Sequence, residues 1–260
     1  MGKFYETIPD SLMKWIPSQK MFWVATAPLA ADAHVNISPK GGPYFGLLDD
    51  KTFWYLDLTG SGNETISHLY EPGNARITVM FSAFDGPPRI VRLFGKGRVL
   101  ESTSPEFADF VKKHDIHTIP GSRSIILVDV HQAGSSCGFS VPYYDFKEFR
   151  TTLNEFFANK TKRFEEGKAE DSMERYWALK NAWSMDGLPG MGTALRTGRQ
   201  EHIEPLQKMV GPLAPRHYRN TRRFGAGHLI LVALLSVLFT VVSMAFAWPR
   251  LVALGVLPTH

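Results

Sequence analysis

The chain has a single cysteine, Cys137, among its 260 residues. Without a second thiol there is no intramolecular disulfide framework and no cysteine-based zinc site, and no metal centre is expected. Cys137 follows an apolar run in Ser135-Ser136-Cys137-Gly138-Phe139; this context reads as a small buried filler rather than a nucleophile. A signal peptide is also missing, because Lys3 is followed by Glu6 and Pro9 before any apolar run builds up. Gly2 is in place for myristoylation, but Glu6 stands where that motif needs Ser or Thr. Positive charge is not spread over the chain. The net charge of +4 is concentrated in Arg216, Arg219, Arg222 and Arg223, which leaves no basic face of the kind nucleic acid requires and predicts no nucleic-acid partner. Internal repeats and low-complexity tracts are absent as well.

The apolar share of 44% and charged share of 21% are those of an ordinary globular protein with a core to bury. One long hydrophobic run stands out near the end, LILVALLSVLFTVVSMAFA over Leu229 to Ala247, with only Ser236, Thr240 and Ser243 as polar members. At about 1.5 Å per residue such a run just crosses a hydrocarbon core of about 30 Å. Its hydroxyls can donate back to carbonyls of the preceding turn. Trp248 and the arginine cluster flank it. The pattern predicts a transmembrane anchor over 227–248, a basic linker over 193–226 and a short tail over 249–260. By the positive-inside rule the large domain would face the cytosol, on the endoplasmic reticulum or the outer mitochondrial membrane.

Between residues 21 and 140 the apolar runs are short, rich in β-branched and aromatic residues, and cut by turn residues. They predict strands over Met21–Ala27, Val35–Ser38, Thr52–Leu58, Ala75–Phe84, Arg89–Leu100 and Ser124–Val130. About six strands at this spacing suggest a small barrel. Asp85-Gly86-Pro87-Pro88 makes a hairpin of the fourth and fifth. One helix is expected from about Ser61, with Ser61 and Glu64 in capping-box spacing, and another over Ser104–Lys113 with Pro105 in its first turn. From Phe146 to Ala182 the chain reads as mostly helical, broken near Gly167, with Phe149, Leu153, Phe156 and Phe157 facing the barrel.

Three stretches carry chemistry. In His34-Val35-Asn36-Ile37-Ser38-Pro39-Lys40-Gly41 a strand ends in a hydroxyl, a rigid proline and a lysine, which together suit an anion as well as an ordinary turn. In Leu58-Thr59-Gly60-Ser61-Gly62-Asn63-Glu64-Thr65 two glycines let backbone amides converge, which suits a phosphate unless Ser61 and Glu64 serve only to cap a helix. The third is Arg89-Ile90-Val91-Arg92-Leu93-Phe94-Gly95-Lys96-Gly97-Arg98, where Arg89 and Arg92 point to opposite faces of a regular strand.

Together with Ser136–Tyr144 (SCGFSVPYY) and Ser184–Met191 (SMDGLPGM), the blocks Val35–Gly41, Asp57–Thr65 and Gly86–Gly97 resemble the pyridoxamine 5'-phosphate oxidase-like flavoproteins. The match is to an uncharacterised branch of that group and covers roughly residues 15 to 192. The resemblance implies a mainly β (α+β) fold, an FMN-binding split barrel over 1–192 with a helical C-terminal extension, assembled as a homodimer. It implies that FMN is held through Asn36, Ser38 and Lys40, through the turn Ser61, Gly62 and Asn63, and against the hairpin residues Arg89 and Arg92. The chain departs from the authentic oxidases in having Gly62 and Asn63 where they carry an Arg-Lys pair, and Ile90 where they carry Gln. It also lacks their C-terminal substrate block of Arg, Trp and Arg.

Two functions therefore stand side by side. One is a membrane-tethered FMN-dependent oxidoreductase with an unidentified small-molecule substrate, distinct from the authentic oxidase. The other is a non-catalytic flavin-binding or partner-binding dimer. No catalytic residue is nominated: His34, His68, His114 and His117 are present, but none stands in a recognisable constellation.

Overall fold

The computed structural model describes residues 2–215, 233–237, 239, 240 and 244. It divides into two units, Met1–Leu213 and Ala214–His260. The first unit is built on one antiparallel sheet. Its strands are β1 (Lys3–Tyr5), β2 (Met21–Thr26), β3 (Asn36–Gly41), β4 (Phe45–Leu47), β5 (Thr52–Leu58), β6 (Arg76–Ser82), β7 (Ile90–Glu101) and β8 (Ser122–Ser136). They run in the order β3-β2-β6-β7-β8-β5-β4, and β1 pairs with the far end of β8. The end strands β3 and β4 do not pair with each other, so the barrel is split at that seam.

The alternation that marks the strands in the sequence also builds the core. Along β2, Phe22 and Val24 point inward while Met21, Trp23 and Ala25 are half-buried on the other face. Phe22 meets Phe45, Phe53 and Phe81 at ring-centroid separations of 5.0, 5.6 and 5.5 Å. A second cluster, Leu56, Leu100, Ile125 and Leu127, is closed by Phe107. That residue lies on a helix, Pro105–Lys113, capped by Ser104, whose hydroxyl accepts from the Phe107 amide at 3.2 Å. Replacing Ser104 with Ala is expected to cost about 1 kcal/mol in urea denaturation, the usual worth of an N-cap.

The helices are α1 (Asp10–Trp15), α2 (Glu64–Tyr70), α3 (Pro105–Lys113), α4 (Thr152–Glu165), α5 (Met173–Lys180) and α6 (Gly192–Gln200). The last lies inside the stretch read as linker. It buries Ala194 fully and Thr193 and Thr197 nearly so, and Glu101 caps it by accepting from the amides of Gly192 (2.6 Å) and Thr193 (3.1 Å). Of the four apolar residues expected to face the barrel only Phe157 is buried; Phe149, Leu153 and Phe156 remain exposed.

Three expectations need correction here. The transmembrane helix is not upheld, because among the described residues no helix is long and apolar enough to cross a membrane. Most of the run Leu229–Ala247 lies outside the described residues; those described there, 233–237, 239, 240 and 244, are helical. Within them the Thr240 hydroxyl does donate to the Ser236 carbonyl, at 2.9 Å. The localisation built on that helix, a tail anchor holding the domain at an organelle membrane, loses its basis with it. Cys137, expected to be buried, is exposed.

Candidate functional site

The site is organised around a carboxylate that the motif reading passed over. Asp57, near the end of β5, is fully buried. Its two oxygens accept from Lys40 Nζ at 2.8 Å and from Arg123 Nε at 2.7 Å. Arg123 reaches it because the β5–β8 register slips at this point: Asp57 pairs with Ser124 and Leu58 with Ser122. The slip leaves Arg123 as the extra residue of a bulge, a device that re-aims a side chain out of the regular alternation. Burial alone would push the Asp57 carboxyl up, but the opposing charges of Arg123 and Lys40 outweigh it and hold it at about 2.

Arg123 also donates from Nη1 to the carbonyl of Gly62 at 2.7 Å. The turn after β5 is braced further by Asn181, which donates to the carbonyl of Gly60 at 2.9 Å, and by Trp177, whose indole donates to Thr59 Oγ1 at 2.9 Å. With its carbonyls drawn inward, the turn leaves Ser61 and Gly62 exposed. Among the described residues their amides donate to no protein group.

The capping box expected of Ser61 and Glu64 does not form. Helix α2 starts at Glu64, one residue past Asn63, and Glu64 Oε2 accepts from the Asn63 amide at 2.9 Å. The other Glu64 oxygen accepts from the Met185 amide at 3.3 Å and lies 3.6 Å from Lys208 Nζ. Burial works against the charged form of Glu64, and Lys208 together with these amides overrides it to lower its pKa. The Lys208 ammonium is pushed down by burial, partly offset by Glu64, with Arg123 and Lys180 adding repulsion.

Within the single chain the proposed ligand residues fall into two groups. Asn36, Ser38 and Lys40 alternate on β3 and share a face, opposite Thr26, Val24 and Phe22 of β2. Lys40 lines a cavity of about 210 Å³ with Phe22, Tyr44, Leu58, Gly60 and Leu153. The turn after β5 reaches the same cavity through Thr59 and Gly60. Asn36 is tied down, donating to Thr26 Oγ1 at 3.2 Å and Thr65 Oγ1 at 3.0 Å. Asn63 is buried beneath the Ser184–Met191 segment, its amide group donating to Ser67 Oγ at 2.9 Å.

Arg92 stands elsewhere. It pairs with Met80, which pairs with Trp23, on the sheet face opposite that of Phe22 and Lys40. Arg92 Nη1 donates to Ser136 Oγ at 3.4 Å, and Arg89 lies over the Trp15 ring at 5.4 Å. The sequence blocks sort accordingly. Val35–Gly41, Asp57–Thr65 and Ser184–Met191 meet at the turn, with Asp186 clamping His34 through its amide at 2.9 Å and its Nδ1 at 2.6 Å. The blocks Gly86–Gly97 and Ser136–Tyr144 meet around the hairpin instead, where the Tyr144 amide donates to Phe84 at 3.0 Å.

Residues 8–137 match the family model described as pyridoxamine 5'-phosphate oxidase. The chain is also 42% identical over 204 residues to the pyridoxamine 5'-phosphate oxidase family protein ustO of Aspergillus flavus, a match spanning 75% of this chain and 80% of that protein. The chain belongs to the pyridoxamine 5'-phosphate oxidase family. Solved structures similar to this family member include a variant of HupZ from Group A Streptococcus, at 21% identity and a TM-score of 0.38, covering 50% of this chain and 99% of that one. Another is a pyridoxamine 5'-phosphate oxidase-like protein of Lactobacillus delbrueckii, at 14% identity and a TM-score of 0.36, covering 50% and 94%. The matched family region stops short of Lys208, Asn181 and Trp177, so three of the groups that border or brace the turn come from the part of this family member beyond it. Leu153, expected only to pack on the barrel, lines the cavity.

Proposed function

We propose that the chain binds FMN in the cavity beside Lys40 and acts as an FMN-dependent oxidoreductase whose substrate differs from that of the authentic oxidase. The observation that carries this reading is the convergence on one cavity of a lysine and a glycine turn. Lys40 stands at its polar edge, the turn contributes Thr59 and Gly60, and Phe22, Tyr44, Leu56, Leu58 and Leu153 supply largely apolar walls. The donors suit a phosphate monoester: Lys40 as a point charge, the Ser61 hydroxyl, and amides at Ser61 and Gly62 with no acceptor among the described residues. Ser38, on the same face of β3, is the further hydroxyl in reach of that edge of the strand. The apolar walls suit a planar aromatic ring.

A bound flavin would supply the electron-accepting and electron-donating chemistry. The chain's own groups would hold and orient it, with Asp57 fixing Lys40 in place and Tyr44, whose hydroxyl accepts from Asn154 Nδ2 at 3.1 Å, setting one wall. Since Arg92 lies on the opposite sheet face, a ligand touching both Lys40 and Arg92 requires Arg92 from a second copy. The proposal therefore includes a homodimer. One observation favours the non-catalytic reading instead: the ionisable side chains on the cavity wall, Lys40 and Tyr44, are both engaged by protein partners, Asp57 and Asn154.

The test is an absorbance and fluorescence titration of the full chain with FMN, with Lys40→Ala in parallel. Near-stoichiometric binding that weakens at least tenfold in the variant, the loss of one charge-assisted contact, is the expected outcome. A folded wild type that retains no FMN overturns the reading. Bound flavin that no reductant such as NADH or NADPH can reduce moves the choice to the non-catalytic binder.

A further inference from the structure

The turn Gly60-Ser61-Gly62-Asn63 brings no charged side chain of its own. Arg123 grips its carbonyl side, donating to the Gly62 oxygen at 2.7 Å, but on the other side stands an acid: a Cβ placed on Gly62 would sit 2.9 Å from Glu64 Oε2. A carboxylate so close to exposed amides repels any phosphate arriving there unless it is neutralised. The neutralising charge is Lys208, 3.6 Å from Glu64 Oε1, carried in by the segment after α6, where the Leu206 amide donates to the Leu179 carbonyl at 2.7 Å.

Lys208 differs from the other cations around the turn. Lys40 donates to Asp57, and Arg123 to Asp57 and Gly62. The Lys208 side chain is only 11% exposed, yet its Nζ makes no hydrogen bond among the described residues. An ammonium has three donors, and a buried one with a single long ion pair is under-satisfied. Such a group is held short of its partners, beside a turn whose Ser61 and Gly62 amides also find no acceptor among the described residues.

We propose that Lys208 is a binding residue for the phosphate of a phosphorylated ligand at the Ser61–Asn63 turn, with Glu64 as its resident counter-ion. The inference rests on the flavin reading for the identity of the ligand, but not for the phosphate chemistry. It makes the segment after α6 a working part of the site. In the free protein Glu64 keeps Lys208 at the turn; with a phosphate present, Lys208 shares its charge between carboxylate and phosphate.

The experiment compares the full-length wild type with Lys208→Met, Lys208→Gln and Lys208→Arg. Each is titrated with FMN, with riboflavin, which lacks the phosphate, and with inorganic phosphate followed by thermal shift. Lys208→Gln keeps a polar end on a chain one atom shorter and covers the case in which Lys208→Met fails to fold. The neutral variants are expected to weaken FMN at least tenfold, to leave riboflavin within twofold, and to abolish the phosphate shift, while Lys208→Arg recovers most of the FMN affinity. Equal losses for FMN and riboflavin, or no loss for either, overturn the proposal and leave the flavin reading standing. A wild type that takes up no flavin but shows a phosphate shift dependent on Lys208 overturns the flavin reading and supports Lys208. A wild type that responds to neither ligand overturns both.

Discussion

Asp57→Ala is expected to lower the stability of the protein by about 3–5 kcal/mol, the cost of stripping one partner from a buried ion pair. Two cations depend on that carboxylate: Arg123, with a side chain 5% exposed, and Lys40, at 20%. Once the acid is removed, Arg123 keeps only the Gly62 carbonyl and Lys40 loses its partner. Urea denaturation followed by circular dichroism measures the loss. A companion effect appears with pH. The folded pKa of Asp57, about 2, is depressed below its ordinary 3.8, so the stabilisation is present above pH 4 and is lost as pH falls through 2. The displacement corresponds to about 2 kcal/mol at neutral pH. The wild type should therefore lose stability steeply between pH 4 and 2, and Asp57→Asn, which cannot ionise, should lose correspondingly less. A variant as stable as the wild type at neutral pH would show that the triad contributes nothing to the fold.

Gly190→Ala is expected to cost about 3 kcal/mol, at the upper end of what overpacking commonly does. A Cβ at Gly190 would collide with the Asn63 side-chain amide and with the Asn181 carbonyl. The first could swing away, but the second is backbone, held by the Met191 amide donating to it at 3.1 Å. The whole Ser184–Met191 cover would have to lift from α2, taking with it the Met185 contact to Glu64. Gly60→Ala is the natural control, since a Cβ there meets nothing within 4 Å. Paired thermal and urea melts should show a large loss for Gly190→Ala and almost none for Gly60→Ala.

These two positions also show what could be read in advance. The strands from β2 onward were legible wherever apolar alternation ran for several residues; β1 and β4 span three residues each and carry too little pattern. Helix α6 was hidden because Gly-Thr-Ala-Leu-Arg-Thr-Gly has little apolar periodicity and is held through Glu101, a residue far back in the chain. That Lys40 and the glycine turn meet at one cavity could be suspected from the sequence, because each motif's chemistry is local. Arg123 was not, since only the slipped β5–β8 register turns it toward Asp57. Lys208 was hidden for the same kind of reason, as its counter-ion Glu64 lies far away in sequence. The capping-box reading of Ser61 failed because spacing alone does not tell where a helix starts, and here Glu64 turns to the Asn63 amide instead. The family resemblance held because several ordered blocks support it together.

The pairing of β1 with the far end of β8, Lys3 opposite Ser135, has a consequence for how the protein is made. Strand β1 cannot find its partner until the last of the eight strands, β8, has been made almost to its end. β8 is also the strand that β5 and β7 both need. Strands β2, β3, β6 and β7 can pair with one another early, but β1 and the β5–β4 flank wait for one late segment, and such non-local closure is slow. During that interval the edge of β7 and the apolar faces of β2 and β5 stay uncovered, which makes nascent chains stalled before Ser136 the ones most in need of a chaperone.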